Sequence, residues 1–452
     1  MTGSSPRGRR EGEWSILARE GALPDSADWT HQYADVANTV VSRDSRVRAP
    51  LGLLWFGGPP NAPILPRHGH GPTPQVIDGR VLIEGRNLLR AVDVYTGRLL
   101  WQQEMKDLGA YYDNTSHQPG ANEIGSNYAS ASDGVYVSHG KECVRLDPAT
   151  GRVLSRWPLP PRQAADGGVW GYVGVYEDLL VATAAPRDVK YKSEKAAAGK
   201  KAAAPAAQSF LTARYGAGSR WLLVLDRHSG KVLWEKEAAG EFRHNAIAAG
   251  GGKVFCFDAL SEARAAAFGA LGLKPATPPT LYALDARTGR TVWEARENVA
   301  GTWLGYSAAR DILLHAGSRD RDRAPDEMAA GMAAYRGADG QVVWRNAVRY
   351  AGPCLLHDDT IIAQTAAYDL LTGRPRTRPH PLTGEAVAWT FARNYGCNTI
   401  VGSTHLLTFR SAAAGFYDLR WVAASGAAIS DGKETGCAVR RRARKSVDQY
   451  SG

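Results

Sequence analysis

The sequence has few of the residues that build long helices, membrane spans or thiol-based sites. Of its 452 residues only four are Met, nine are Phe and five are Cys. No apolar run approaches the roughly 18 residues that a transmembrane helix requires. The cysteines show no C-x-x-C spacing, which disfavours zinc and covalent haem. We expect scattered buried thiols, with one disulfide as the alternative. They are Cys143, Cys256, Cys354, Cys397 and Cys437.

The start of the chain also lacks the apolar core of a signal peptide. Met1 to Trp14 is polar and rich in arginine, which predicts that the chain as written is not exported. This expectation would change if the given start were internal to a longer protein.

The formal charge of +10 is concentrated in two segments. The segment from Arg440 to Lys445 contributes +5, and the segment from Arg187 to Lys201 contributes +4. The rest of the chain is nearly neutral and has no basic stripe with interleaved aromatic residues, so we expect no nucleic-acid partner. We expect the final segment, 421–452, to be a disordered basic tail.

Glycine and large aromatic residues are abundant instead. The chain has 49 Gly, 13 Trp and 18 Tyr, a composition typical of many short strands joined by tight turns. The composition therefore predicts an all-β fold.

A repeated motif supports this prediction. Leu89–Trp101, with Asp93 and Gly97 inside it, is matched by Leu281–Trp293 with Asp285 and Gly289. A third copy ends at Trp234 and contains Asp226 and Gly230. We interpret the motif as a hairpin in which Asp accepts turn amides, Gly takes a positive φ and Trp packs the outer strand. These residues are predicted to be structural. Weaker copies contain Asp147, Gly151 and Trp157; Gly340 and Trp344; Asp369 and Gly373; and Tyr417 with Asp418.

The spacing of the motif predicts a β-propeller of four-stranded blades. Successive turn glycines from Gly97 to Gly340 are 54, 79, 59 and 51 residues apart. The long interval contains 186–219, a Lys- and Ala-rich stretch that we interpret as a flexible insertion. Counting modules predicts seven blades, and a second Leu-Thr-Gly turn at Leu382–Gly384 leaves eight as the alternative.

Residues Leu51–Phe56 look like a final Trp-bearing strand, with Trp55 in the Trp position. We therefore expect an N-terminal strand to close the ring by completing the last blade. The predicted organisation is an N-terminal extension at 1–48, a propeller at 49–420 and the basic tail.

The repeat resembles the pyrroloquinoline-quinone (PQQ) repeat, which quinoprotein alcohol dehydrogenases share with BamB-like outer-membrane assembly scaffolds. The resemblance covers about Leu51 to Leu419 and is closest to uncharacterised bacterial propellers of this kind. It implies the propeller fold and an extracytoplasmic setting, which conflicts with the missing signal peptide. It does not imply a particular function, because the repeated residues hold blades together whether or not quinone binds.

The resemblance leaves two functions open. The first is a non-catalytic scaffold that binds an unknown protein or a small polar ligand. The alternative is a PQQ- and calcium-dependent dehydrogenase, which would need carboxylate and amide ligands for calcium and an aspartate base. The vicinal disulfide usual in that family is missing. The polar loop from Tyr111 to Asn127 could hold calcium, but its spacing matches no known motif. His68 and His70 could form a metal pair, although no third ligand is visible.

Any ligand is expected at the mouth of the axial channel, where the first strand of each blade begins. The residues predicted there are His70, Asn127, Trp170, His244, Asn245, Trp303, Cys397 and Asn398. Such hydrogen-bonding and stacking groups would suit a small polar or planar ligand. The alternative is that they bind only channel water.

Overall fold

The structure is a computed structural model. It describes residues 7–18, 21–52, 54–66, 70–113, 120–186, 217–260, 278–296, 301–317, 330–364, 366–380, 383–390, 399–411 and 413–419. Residues 187–216 of the predicted insertion, the predicted basic tail, His68, Cys397, Asn398 and Cys437 lie outside these ranges, whereas residues 186 and 217–219 at the ends of the insertion are described.

The all-β prediction is confirmed for the part of the chain that is described. Its only α-helices are two short ones, α1 (Ala121–Ile124) and α2 (Pro161–Ala164), and a 3₁₀ turn follows at Ala165–Gly167. Near the start, β1 (Arg7–Glu11) pairs with β2 (Trp14–Ala18). The other strands form antiparallel sheets in chain order, which we group into seven units.

Units 1 and 2 are complete four-stranded antiparallel sheets. Unit 1 contains β3 (Gln75–Ile77), β4 (Arg80–Gly85), β5 (Leu88–Asp93) and β6 (Leu99–Glu104). Unit 2 contains β7 (Tyr128–Ala131), β8 (Gly134–His139), β9 (Glu142–Leu146) and β10 (Val153–Pro158).

Units 3 and 4 share one long strand, β14 (Val232–Gly250), whose first half pairs with unit 3 and whose second half pairs with unit 4. The other strands of unit 3 are β11 (Trp170–Tyr176), β12 (Leu179–Pro186) and β13 (Gly218–Asp226). Those of unit 4 are β15 (Lys253–Asp258), β16 (Thr280–Asp285) and β17 (Thr291–Ala295).

Units 5 to 7 become progressively less regular. Unit 5 contains β18 (Trp303–Ser307), β19 (Ile312–Ala316), β20 (Ala330–Arg336) and β21 (Val342–Arg349). Unit 6 contains β22 (Leu355–His357), β23 (Thr360–Ile362) and β24 (Ala367–Asp369), followed by the hairpin of β25 (Thr377–Pro379) and β26 (Ala386–Ala388). Unit 7 contains β27 (Val401–Gly402), β28 (Leu406–Ser411) and β29 (Ala413–Asp418).

The apolar cores lie between neighbouring units. Leu82 and Leu89 of unit 1 pack in one cluster with Tyr128 and Val137 of unit 2. Comparable clusters join units 2 and 3, units 3 and 4, and units 4 and 5, and one large cluster joins units 5, 6 and 7. Each sheet is therefore stabilised mainly by burying its faces against the next one.

The repeat motif has a clear local structure. In unit 4, one carboxylate oxygen of Asp285 accepts hydrogen bonds from the Thr288 amide at 2.8 Å and the Thr288 hydroxyl at 2.7 Å. These bonds lower the pKa of Asp285 below its usual value. Gly289 then takes a φ of +70°, a left-handed conformation that L-residues with a Cβ adopt at a cost.

Each repeat Trp packs against the turn of the following unit. Trp234 lies on Gly289, and its indole N–H donates to the carbonyl of Ala286 at 2.9 Å. The same two contacts join Trp101 to Gly151, Trp293 to Gly340 and Trp344 to Gly373, and Trp157 lies on Gly230. The Trp residue is thus the link between units, in addition to packing within its own sheet.

Replacing Gly289 with Ala is expected to destabilise the protein by about 2–4 kcal/mol in urea unfolding. About 1–2 kcal/mol comes from the left-handed backbone, and the rest from overpacking, because an added Cβ would lie 2.6 Å from the Trp234 ring. Gly140 is a matched control, since it has a φ of +62° and no atom within 4 Å of an added Cβ. Equal losses in the two variants would contradict a role for the Trp–Gly contact.

The predicted closing strand is not formed in this structure. Residues 51, 52 and 54–56 are not part of any strand. Pro50 offers no amide, and Gly57 and Gly58 take positive φ values that end an extended segment. Trp55 nevertheless lies on Gly97, and its indole N–H donates to Val94 at 3.0 Å. Trp55 therefore makes the same contacts with the turn of unit 1 that a repeat Trp makes with the next unit, although it is not part of a strand.

The second Leu-Thr-Gly turn lies in the hairpin that follows β24. Gly384 donates its amide to the carbonyl of His380 at 2.8 Å, between β25 and β26. Ala367 of β24 also bonds to the two arms of this hairpin, at Arg376 and Trp389. The hairpin is therefore attached to unit 6.

Candidate functional site

The N-terminal segment, residues 29–42, contacts the first strand of every unit in chain order. Its hydrogen bonds are between 2.7 and 3.0 Å long. They join Trp29 to Val76, Thr30 to Ser130, His31 to Val175, Val36 to Ala249, Ala37 to Tyr306, Thr39 to Leu356, and Val40 and Ser42 to Gly402. This one segment thus links all seven units.

Two buried side chains anchor this segment. The Asn38 amide donates to the carbonyls of Ile247 in unit 4 and Leu304 in unit 5, at 2.8 and 3.0 Å. The Nε2 atom of His31 accepts the amide of Val175 at 2.9 Å, so this nitrogen is unprotonated. Burial lowers the pKa of His31 to about 3, and the imidazole therefore remains neutral near pH 7.

The short helix α1 gathers several of the predicted mouth residues. His244 bonds through Nδ1 to the carbonyl of Ile124, and the Asn245 amide donates to the carbonyl of Asn122. The carbonyl of His70 accepts the amide of Ala121 at 2.9 Å. The side chains of Gln32 and Tyr33 also bond to Asn122, at 2.9 and 3.0 Å. Helix α1 therefore connects the N-terminal segment to unit 4.

His244 also belongs to a buried hydroxyl cluster. Its Nε2 lies 2.7 Å from the Ser219 hydroxyl and 3.2 Å from that of Thr183. Burial lowers the pKa of His244 to about 4, so it is a neutral acceptor near pH 7. A serine beside a neutral histidine resembles a nucleophile and its base. Ser219 is fully buried, however, and its hydroxyl is not exposed to a substrate.

A small pocket of about 280 Å³, including space open to solvent, lies beside this cluster. It brings three predicted residues, Asn127, Trp170 and His244, to one site. Their neighbours in its wall are Tyr112, Ile124, Gly125, Ser126, Ser138, Gly171 and Pro186.

Two polar atoms of the pocket residues have no hydrogen-bond partner. They are the indole N–H of Trp170, which is 2% exposed, and the side-chain oxygen of Asn127. A buried donor or acceptor without a partner costs about 1–3 kcal/mol.

Of the other predicted mouth residues that the structure describes, His70, Asn245 and Trp303 do not line this pocket. Trp303 is fully buried and packs edge-on against Tyr33, with 6.4 Å between the ring centres. Cys397 and Asn398 lie outside the described residues. Cys143, Cys256 and Cys354 are buried free thiols, which confirms the prediction of scattered buried cysteines for these three.

Glu84, which sequence reasoning missed, is a buried carboxyl beside Asn127. It is 3% exposed, and neither oxygen has a partner with hydrogen-bonding geometry. Burial raises its pKa to about 8, and the Asn127 amide only partly opposes this effect. The alternation in β4 could have indicated it, because Glu84 follows buried Leu82 by two residues and so faces the same side.

The described residues do not fit the quinone and calcium that the resemblance implies. Across the described ranges, no three His, Cys, Asp or Glu residues are grouped as metal ligands. Asp113 of the polar loop pairs with Arg86 at 3.1 Å. The first strands bond to the N-terminal segment, so the space that they face contains the chain itself.

A family comparison agrees with the repeat motif. Residues 190–354 match the family model described as outer membrane protein assembly factor BamB. The match covers less than half of the chain and supports the resemblance to the PQQ-repeat, BamB-like family. The motif copies extend beyond the matched residues into units 1, 2 and 6. No curated protein matches the sequence.

Solved structures resemble this chain at low identity. BamB from Moraxella catarrhalis is 13% identical, covers 75% of this chain and 82% of its own, and gives a TM-score of 0.42. Quinohemoprotein alcohol dehydrogenase from Comamonas testosteroni is 14% identical over 85% of this chain, with a TM-score of 0.45. The match covers only 57% of that enzyme. At these identities and TM-scores the likenesses carry no argument about the function of this chain.

Neither short α-helix in the described part of the chain has the length or apolar character needed to cross a bilayer.

Proposed function

We propose that this chain is a non-catalytic binding scaffold, built as a closed ring of seven units around its own N-terminal segment. The observation that carries the proposal is the series of hydrogen bonds from residues 29–42 to the first strands of units 1 to 7 in order. A segment of 14 residues can reach seven first strands only if they face a common axis. The backbone groups of the first strands that face this axis then hold the units together through the N-terminal segment.

Two contacts support closure between the last and first units. Val41 pairs in parallel with Gly402 of unit 7, while Trp29 pairs with Val76 of unit 1. Trp55 supplies the interunit contact on Gly97 that a Trp from unit 7 would otherwise make. The ring is thus closed by a segment threaded along the axis together with one tryptophan, instead of by a strand.

The binding surface that we propose is the end of the ring where the first strands begin. Asn127, Trp170, His244 and Asn245 lie at this end, around α1. The opposite parts of the first strands bond to the N-terminal segment. We propose a protein or a small polar ligand as the partner, in the extracytoplasmic setting that the BamB-like family implies.

Affinity purification of the tagged full chain from envelope extracts tests this function. We expect a defined partner that is retained by wild type and reduced at least threefold for Asn127→Ala, because loss of one polar contact costs about 1 kcal/mol. Asn87→Ala is the matched control, since Asn87 is exposed in unit 1, away from α1.

The same protein, incubated with PQQ and calcium and then desalted, distinguishes the alternative function. A scaffold of this construction is expected to retain no quinone absorbance and to show no dye-linked alcohol oxidation. Stoichiometric quinone with such oxidation would replace the proposal with a dehydrogenase. Equal partner recovery with Asn127→Ala would remove the proposed surface.

A further inference from the structure

Residues 45–52 and 54–60, which we name the apolar loop, expose a cluster of apolar side chains. Phe56 is 93% exposed and Leu54 is 67% exposed, whereas Trp55 between them packs its ring on Gly97. The contact of Trp55 with unit 1 thus leaves the side chains before and after it facing solvent. Val47 and Leu51 of the same loop are exposed as well.

The other copies of the motif show which residues the packing of a repeat Trp requires beside it. An exposed apolar residue precedes the Trp in units 3, 4 and 5, at Leu233, Val292 and Val343. The residue after the Trp is exposed in units 1 to 5, and there it is polar, charged or proline: Gln102, Pro158, Glu235, Glu294 and Arg345. Phe56 holds this position after Trp55. The packing of the repeat therefore does not account for an exposed Phe56, and exposed apolar clusters are typical of binding surfaces.

Hydrogen bonds on both sides of the cluster fix the apolar loop to the protein. Before the cluster, the Ser45 amide donates to the carbonyl of Asp25 at 2.9 Å. After it, the Arg90 guanidinium donates to the carbonyl of Pro60 at 2.9 Å. The cluster is thus held in place while its side chains remain accessible.

Two exposed arginines, Arg46 and Arg48, precede the cluster. They donate to the backbone carbonyls of Pro24 and Ser45, and neither forms an ion pair with a carboxylate in the described part of the chain. The carboxylate of Asp44 accepts the backbone amide of Arg46 at 3.0 Å. Residues 45–66 contain no Asp or Glu. Unpaired guanidinium groups beside apolar side chains are complementary to anionic phosphates that cover an apolar layer.

The exposed area favours a lipid surface over a second copy of the chain. Leu54 and Phe56 together expose on the order of 300 Å², whereas a stable protein interface takes about 800 Å² from each partner. A lipid surface needs no such area, because each apolar side chain that enters it contributes separately.

We propose that the apolar loop binds the surface of an anionic lipid bilayer, with Leu54 and Phe56 among the lipid head groups and Arg46 and Arg48 on the phosphates. The loop adjoins the turn between β5 and β6, which the antiparallel strand order places at the end of unit 1 where its first strand ends. The partner surface proposed around α1 lies where the first strands begin. The inference therefore goes beyond the scaffold function and does not depend on it.

Cosedimentation of the full chain with sucrose-loaded vesicles tests the inference. Wild type is expected to bind vesicles of equal parts phosphatidylglycerol and phosphatidylcholine in a saturable way. It is expected to bind phosphatidylcholine vesicles at least fivefold more weakly, because each arginine near an anionic surface contributes about fivefold. The basic segments 187–201 and 440–445 would also attract anionic vesicles, so variants of the apolar loop decide the outcome.

The apolar contribution is measured with Phe56→Ser and Leu54→Ser. Binding is expected to weaken at least tenfold in Phe56→Ser, since burial of one such side chain corresponds to about 10- to 100-fold, and at least threefold in Leu54→Ser. Phe56→Trp is expected to bind at least as well as wild type, because Trp is favoured at membrane surfaces. Leu233→Ser is the matched control, since Leu233 is also exposed before a repeat Trp, and it is expected to bind as wild type does.

The charge contribution is measured with the double variant Arg46→Gln and Arg48→Gln. Its binding to anionic vesicles is expected to weaken at least fivefold, with no change on phosphatidylcholine vesicles. Arg152→Gln with Arg290→Gln is the control, because these two residues are exposed in the repeat turns of units 2 and 4. This control is expected to bind as wild type does.

Four results would overturn the inference. They are undiminished binding of Phe56→Ser, equal losses in Leu54→Ser and Leu233→Ser, equal losses in the two double arginine variants, and equal binding of wild type to both kinds of vesicle. Light scattering adds a further test, because a wild-type dimer that Phe56→Ser dissociates would assign the cluster to a second copy. Thermal unfolding identifies a folding defect, and Phe56→Gln replaces Phe56→Ser if that variant does not fold.

Discussion

Replacing Glu84 with Gln is expected to stabilise the protein by about 2–5 kcal/mol at pH 8.5 and by little at pH 4.5. Wild-type Glu84 is buried, and burial raises its pKa from 4.5 to about 8, an effect that the Asn127 amide only partly opposes. Each pKa unit corresponds to about 1.4 kcal/mol. Gln has the shape of the neutral acid and cannot ionise, so the variant avoids the cost of a buried charge.

The direction in which stability changes with pH follows from how many protons the folded and the unfolded states bind. Between pH 4.5 and about 8 the folded protein keeps the Glu84 proton while the unfolded chain has lost it. The unfolded state therefore binds fewer protons, and wild-type stability falls as the pH rises through this range. Below pH 4.5 both states are protonated, and the difference between wild type and variant becomes small.

Urea unfolding of both proteins at pH 4.5, 6.5 and 8.5 measures this difference. Glu104→Gln is the control, because Glu104 is exposed in β6 of the same unit. A Glu84→Gln effect that does not increase with pH, or one matched by Glu104→Gln, would show that Glu84 is ionised in the folded protein.

Replacing Asn38 with Ala is expected to destabilise the protein by about 3–5 kcal/mol. The change leaves the buried carbonyls of Ile247 and Leu304 without their shared donor, and each such loss costs about 1–3 kcal/mol. It also places Ala at a φ of +57°, a conformation in which Asn is tolerated better. Because Asn38 joins two units, we expect one cooperative unfolding transition at a lower urea midpoint.

The variant Asn87→Ala separates the cost of losing the buried hydrogen bonds from the cost of placing Ala at a positive φ. It has nearly the same φ, +58°, but is exposed and bonds to the amide of Asp107. Asn87→Ala is therefore expected to cost about 1–2 kcal/mol from the backbone and the exposed bond. If Asn38→Ala costs no more than Asn87→Ala, the buried bonds to units 4 and 5 do not contribute.

The repeated parts of the fold could be predicted from the sequence because their interactions are local. Asp285 and Thr288 are three residues apart, so the turn that they form is visible in the motif itself. The Trp four residues after each turn Gly predicted a packing contact. That this Trp packs on the turn of the next unit is visible only in the structure. The closing strand predicted at Leu51–Phe56 is missing for a local reason as well, since Trp55 fits the motif but Pro50 and Gly57 flank the segment.

The N-terminal segment could not be predicted, because it has no periodicity and bonds mostly through its backbone. Asn38 lies 209 and 266 residues from its two partners, and nothing in its sequence neighbourhood indicates them. The pocket was partly predictable. Asn127, Trp170 and His244 were selected as residues that begin inner strands, but which of the eight candidates meet depends on α1, a helix of four residues.

The position of the N-terminal segment affects how the chain acquires its structure during synthesis. Residues 29–42 are made before all seven units, yet Val40 and Ser42 bond to Gly402, which is made some 360 residues later. At about 5–20 residues per second, this delay is on the order of 20–70 s. During this time the early units must either wait with exposed inner strands or hold the segment provisionally. The contacts of the N-terminal segment with unit 7 can therefore form only after unit 7 has been made, although the units are local and repetitive.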